Sequence, residues 1–442
     1  MAVMNFDSQT DTRNRVSKRP WRWTIVVCCA AALVCTGWTW WSVRSYKSAM
    51  AAVDFEMAAG KFGMAARTLE QVLAGRPQAD EAAYVLGLCE QARGKPQAAQ
   101  QAWARVAPGS AFFHRAILAG LRLFHDTGQL AASERLVTTA AQDPRADRTD
   151  LRVLLVPIFS QIGRSDEAER LIEDRWEHLL EIGEATPEQS IKLVRLHIEL
   201  TGKAPSPDAL RIYLDQVGRL SPDDDRCWLG RAHLAIQTGA LDEAKGWLDA
   251  CLWRRPEDAP VWRASLKWGL ASQRVDVVRQ AMKHLPAAEA THAAVDRLNA
   301  WLCARRTDVE CERQALERLN ADDPGDATAA LRLVQLAEKG GQPEVAARSR
   351  QHSEQTDRLR IRYQELYDRT QHMRDAEEMA RIADQLGRWF EARVFLTLAL
   401  VSQPERTDLK SDLKRVSSKL IAPGVPGQTL AQVVAHELGE GR

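Results

Sequence analysis

An all-α solenoid of about ten helix-turn-helix pairs is the fold class this sequence predicts, and three observations predict it. Gly60, Gly94, Gly128 and Gly163 lie 34, 34 and 35 residues apart; the series continues at Gly202 and Gly239, passes in register through Gln273 and Thr307, and resumes at Gly341 and Gly387. Each mark lies between two apolar helical stretches, where a tight turn must stop the first helix. Five residues after the mark a small side chain recurs, at Ala65, Ala99, Ser133, Ala168, Ala244, Ala346 and Ala392, which lets two antiparallel helices approach closely. Seventeen residues after it stand Pro77, Pro256, Pro324 and Pro404, which end the second helix because proline lacks an N–H and clashes with the preceding turn.

Taken in order, residues 1–22 form a basic tail, with Arg13, Arg15, Lys18, Arg19 and Arg22 against Asp7 and Asp11. Residues 23–43 carry no charged side chain. At ~1.5 Å per residue they are about long enough to cross a ~30 Å hydrocarbon core. Trp21, Trp23, Trp38, Trp40 and Trp41 flank the run, as indoles do at the headgroup region. The expectation is an uncleaved single-pass anchor, with the N-terminus cytoplasmic by the positive-inside rule and the repeats outside the cytoplasm, in the periplasm. A cleaved signal peptide is the competing reading, but the apolar run continues past Ala30, Ala31 and Ala32 and the tryptophans follow it.

The repeats occupy 46–406. The fullest copy, WLGRAHLAIQTGALDEAKGWLDACLWRRP at 228–256, has its Trp, Gly, Ala and Pro in place; residues 80–113, with Leu86, Gly87, Gly94, Ala99 and Trp103, follow closely. These residues resemble the tetratricopeptide repeat family, and with the anchor they resemble a bacterial-type, single-pass membrane-anchored member. The resemblance implies a right-handed superhelix that binds other proteins and lines its concave face with the first helix of each pair. On that face the groove candidates are Arg115, Arg122, Lys192, Arg226, Arg263 and Lys267, with Tyr84, Leu118, Leu229 and His233 among them. Glu81, Asp126, Asp150 and Glu199 dilute this basic field, so a mixed solvated face is the competing reading. Two copies depart from the pattern, with Val278 and Glu312 where the small residue belongs.

Gly341 to Gly387 spans 46 residues, one period plus 12. Within this insertion, near 350–372, Leu359, Tyr363 and Leu366 make a short apolar stripe on a charged helix that is expected to project beyond the solenoid. Residues 407–420 read as a polar capping helix over the last apolar face, and 421–442 as a tail.

Without the first 22 residues the chain has 55 basic against 57 acidic side chains, a balance that gives no broad basic field for nucleic acid. No HExxH, P-loop, dinucleotide glycine motif or GxSxG elbow appears, so neither catalysis, nor a cofactor, nor a metal centre is expected. The acidic run 223–225 reads as a capping turn before the helix of Trp228. The tryptophans of the repeats read as core. Cys89, Cys227, Cys251, Cys303 and Cys311 read as buried free thiols, a bridge between Cys303 and Cys311 across the turn at Thr307 being open in an oxidising compartment. The function expected is a membrane-anchored scaffold or adaptor with protein or peptide partners. A chaperone-like assembly factor for exported proteins and an accessory enzyme subunit are the alternatives, and the oligomeric state is left open.

Overall fold

The computed structural model describes residues 41–202, 206–420 and 427–438. Two compact units divide the chain, Met1–Ala119 and Gly120–Arg442, and the division falls inside one helix. The first unit holds α1 (41–58), α2 (Phe62–Gly75), α3 (Asp80–Ala92) and α4 (Pro96–Trp103); α5 (Phe113–Asp126) runs across the division. The second unit continues with α6 (Leu130–Ala140), α7 (Arg148–Val153), α8 (Val156–Gln161), α9 (Ser165–Glu181), α10 (Pro187–Gly202) and α11 (Pro207–Leu220). Next come α12 (Asp225–Thr238), α13 (Leu241–Arg254), α14 (Ala259–Ala271), α15 (Val275–His284), a 3-10 turn at Ala287–Glu289, α16 (His292–Arg305) and α17 (Val309–Asp322). The unit ends with α18 (Ala327–Lys339), α19 (Pro343–Asp368), α20 (Ala376–Gln385), α21 (Trp389–Ser402), α22 (Thr407–Lys419) and α23 (Leu430–Glu437). Among the described residues the structure is all helical, with one isolated bridge between Pro286 and Thr429.

One hydrogen bond explains the repeating turn. At every mark whose following residue is described, the N–H of that residue donates to the carbonyl five residues earlier, as in Lys61 to Glu56, Arg274 to Gly269 and Asp308 to Cys303, at 2.8–3.1 Å. This closure of a helix C-terminus needs a left-handed residue at the mark. Gly60, Gly94 and Gly128 have φ of 70°, 70° and 68°, and the two non-glycine marks conform, Gln273 at 61° and Thr307 at 57°. The register therefore continues through both.

The prolines act through the residue before them. Arg76, Arg255, Asp323 and Gln403 have φ between −143° and −136°, and α2, α13, α17 and α21 each stop one residue earlier. A residue preceding proline is driven out of the helical region by the ring.

Packing follows the small residues. Ala65, Ala99, Ser133, Ala168, Ala244 and Ala392 are all at 0% exposure. Val278 is as fully buried in the departing copy, and there the partner helix gives way, because a Cβ at Gly269 would lie 2.9 Å from Val278 Cγ2. Glu312 is buried as well, and Arg332 meets both its oxygens, at 2.6 and 3.0 Å. Trp103 and Trp262 are buried, while Trp228, Trp247 and Trp389 are half-buried. Asp224 caps α12 by accepting from Arg226 and Cys227 N–H, as a capping turn requires.

Within the second unit the chain also meets itself across many pairs. The rings of Trp176 in α9 and Phe390 in α21 sit edge to face at 5.7 Å, and Arg393 of α21 pairs with Glu177. Two expectations are corrected. The stripe on α19 does not project: Tyr363 and Leu366 are 2% and 0% exposed, and Leu359 is half-buried. The insertion extends the second helix of its pair, and its Thr356, Tyr363 and Leu366 are buried.

The second correction concerns the membrane anchor and the placement of the repeats outside the cytoplasm. No helix among the described residues is long and apolar enough to cross a membrane. Residues 23–40 lie outside the described residues, and 41–43 open α1, which continues through Arg44, Lys47, Asp54 and Glu56 and buries Met50 and Val53. Charges at that spacing make α1 an amphipathic packing helix.

Candidate functional site

A cavity of about 800 Å³ opens in the second unit, walled by α6, the α7–α8 segment, α9 and the start of α14. Its polar wall is built from Arg164. The left-handed turn at Gly163 (φ 76°) places Arg164 at the head of α9, where its guanidinium lies 3.8 Å from the centre of the Phe159 ring. From there it forks to both oxygens of Glu134 at 3.1 Å and to both oxygens of Glu167, at 2.7 and 2.8 Å.

The pairing extends in both directions. Glu134 also accepts from Arg226 Nε at 2.5 Å, and Arg226 clasps Asp258 through its two terminal nitrogens. Glu167 accepts from Arg263 at 2.6 Å; Arg263 reaches Glu289 at 2.6 Å, and Glu289 also holds Arg170 at 2.7 Å. The result is an unbroken alternating chain, Asp258–Arg226–Glu134–Arg164–Glu167–Arg263–Glu289–Arg170, drawn from α6, α9, α12, α14 and the 3-10 turn. Burial would raise the carboxyl pKa values, but the arginines outweigh it: Glu134 is held below its ordinary value and Glu167 down to about 2. Both acids stay charged at neutral pH, and removing one partner from such a buried network costs about 3–5 kcal/mol.

Apolar side chains, Leu155, Phe159 and Leu171, complete the wall, and Thr138, Gln142, Arg148 and Arg152 stand around the rest of the lining. Arg148 is exposed and pairs with no described residue. A cavity of this kind has an apolar floor and a charged wall whose side chains pair with one another.

A second cavity, of about 620 Å³, is lined by His197, Glu169, Glu173, Arg388, Phe390 and Glu391 among others. His197 Nδ1 lies 3.3 Å from Glu391 and its Nε2 3.6 Å from Glu173, while Tyr363 donates its hydroxyl to the other oxygen of Glu391 at 2.5 Å. Burial would lower the His197 pKa, but the two carboxylates outweigh it and raise it to about 9; burial first, with the nearby Asp166 and Glu173, raises Glu169 to about 7. A histidine held charged between two carboxylates is a poor general base, and Glu391 has both oxygens engaged. The arrangement ties α10 to α19 and α21. The free thiols of Cys89, Cys227 and Cys251 are buried, and burial pushes them up to about 11, 11 and 12, far from thiolate chemistry. Cys303 and Cys311 are bonded to each other across the turn at Thr307, so the reading of all five as free thiols is corrected for this pair.

The groove residues predicted from sequence divide between the units. Tyr84, half-buried against Phe112 at 5.8 Å, Arg115, exposed over the same ring, and Leu118, half-buried, belong to the first unit. In the second, Arg226 and Arg263 join the ion-paired chain, and Lys267 pairs with Asp166 at 2.7 Å. His233 stands near Lys267, Arg164 and Asp166, and burial first, with the nearby cations, lowers its pKa to about 3. Arg122 and Lys192 are exposed, and Leu229, at 0% exposure, is core. Arg226 is 4% exposed, which corrects its expected solvent-facing position. Sequence reasoning missed Glu134, Arg164, Glu167 and Asp258. The only local signal was Arg164 beside its turn, since the partners come from pairs far apart in the chain.

No family model matches the chain, and no curated protein matches it by sequence. Solved structures do. The APC/C hetero-tetramer Cut9–Hcn1 is 12% identical over 87% of this chain and 91% of that one, with a TM-score of 0.33. A tetratricopeptide repeat protein from Parabacteroides merdae is 16% identical over 54% and 91%, with a TM-score of 0.27, and yeast Tom70 is 12% identical over 83% and 99%, at 0.25. The solved neighbours include several tetratricopeptide repeat proteins by name.

Proposed function

We propose that this chain is a protein-binding scaffold whose second unit receives a peptide segment of its partner in the cavity beside Arg164. One observation carries the reading. The wall is a chain of side chains paired with one another, which holds it in place before any partner arrives, while Arg148 is exposed and pairs with no described residue. A preorganised polar wall lowers the ordering cost of binding and selects by charge. The partner segment best suited to it is extended and mixed, with an acid for Arg148 and an apolar side chain for the Leu155–Phe159–Leu171 floor. The predicted groove residues Arg122 and Lys192 enter this reading only as exposed surface cations that steer encounter.

The test is site-directed photocrosslinking with the crosslinker at Thr138 or Gln142 inside the cavity, and at exposed Lys245 as control. A defined partner captured from the cavity positions alone, and lost on Arg148→Glu, is the expected result. Equal capture from Lys245, or capture indifferent to Arg148→Glu, would overturn the proposal.

A further inference from the structure

The last described helix, α23, folds back onto the pair α15–α16. Thr429 bridges Pro286, Leu430 N–H donates to Leu285 O at 2.8 Å, and Ala287 N–H donates to Gln428 O at 2.9 Å. A capping box between Thr429 and Gln432 closes its first turn. Leu430 and Val434, four apart and so on one face, are 5% and 2% exposed in a cluster with Trp262, Met282, Leu285 and Leu298. At the far end Asn299, at 0% exposure, donates to Glu437 at 2.6 Å. The carbonyl oxygen of Asn299 is buried with no partner among the described residues. One turn earlier stands Asp296, 6% exposed and paired with Arg318 at 2.7 Å; burial raises its pKa, and Glu437 adds to the rise.

The groove is thus a built site for a short amphipathic helix, and its present occupant fits it imperfectly. Glu437 can only accept, so it leaves the Asn299 carbonyl orphaned, and it sets a second negative charge near Asp296. A primary amide in that place would accept from the Asn299 amide, donate to its carbonyl and remove the repulsion.

We propose that the α15–α16 groove is a docking site for a partner helix with aliphatic residues at i and i+4 and an amide at i+7, held in cis by α23 as a weaker occupant. The site shares no residue named here with either cavity, so it stands or falls separately from the cavity reading.

The experiment uses the full chain, natural and with Leu430→Asp plus Val434→Asp to undock the tail, and a labelled peptide of residues 427–438, either natural or with Glu437→Gln. The undocked chain should bind the natural peptide with a Kd on the order of 100 µM. The Glu437→Gln peptide should bind it several-fold more tightly. The natural chain should bind either peptide at least about tenfold more weakly, because its tethered tail competes at high effective concentration. Absence of binding to an undocked chain with unchanged circular dichroism overturns the site, and weaker binding of the Glu437→Gln peptide overturns the amide preference. If the undocked chain does not fold, hydrogen exchange on the natural chain decides. Amides of 430–437 that open more readily than those of α16 support an exchangeable occupant, and amides that open only together with α16 overturn it.

Discussion

Gly269 and Val278 show how a single position can break the repeat pattern and keep the fold. The pattern asks for a small residue at 278; valine stands there, and the missing side chain has moved to the facing helix. We expect Gly269→Ala to destabilise the second unit by about 1–3 kcal/mol, because the new Cβ meets Val278 Cγ2 at 2.9 Å and overpacking forces side chains off their rotamers. In a Val278→Ala background that cost should fall by at least half, since the nearest atom is gone and alanine is favoured over glycine in a helix by about 1 kcal/mol. Urea denaturation of the four members of this cycle measures the coupling, and additive effects would refute the compensation. Glu312 makes the same point with charge, since the pattern gave no reason to expect a buried acid until Arg332 is seen on both its oxygens.

Helices in this chain are bounded by local chemistry and placed by partners that local chemistry does not name. The stops before Pro77, Pro256, Pro324 and Pro404 could be read directly, because the restriction acts on the adjacent residue. The fate of α19 could not. Its stripe of Leu359, Tyr363 and Leu366 has the period of a packing face, but what covers it arrives later in the chain: Tyr363 donates to Glu391, and its ring lies 6.4 Å from that of Phe395. The two ends of the stripe should therefore respond differently. Leu366→Ala, at a fully buried site, is expected to cost about 2–5 kcal/mol. Leu359→Ala, at a half-buried one, should cost under about 1.5 kcal/mol. Chemical denaturation of the two variants checks this, and equal losses would mean that the stripe is buried along its whole length.

At the scale of the molecule, the period alone carried the all-helical class and the order of pairs, because turn closure and helix pairing are interactions between neighbours in sequence. The candidate site was mostly illegible for the same reason. Arg226 and Glu134 lie 92 residues apart and Arg393 and Glu177 lie 216 apart, and no spacing rule reaches that far. These distant ties set the second unit apart from a solenoid whose stability is a sum of neighbouring terms. His197 is the tie whose strength pH controls. Its pKa is raised from 6.5 to about 9, so its contribution is complete below 6.5 and is lost as pH rises through 9. Glu391 is held below its ordinary 4.5, so its contribution is present above 4.5 and is lost as pH falls through the lowered value. The tie is therefore strongest between about pH 4.5 and 6.5. Replacing His197 by glutamine should lower stability by on the order of 2–4 kcal/mol at pH 6, and the difference from the natural chain should shrink steadily as pH rises through 9. Thermal melts of both proteins across that range measure it. A difference that does not change with pH would show that His197 acts by packing against Phe390, whose ring centre is 4.7 Å away, and not as a charged link between α10 and α21.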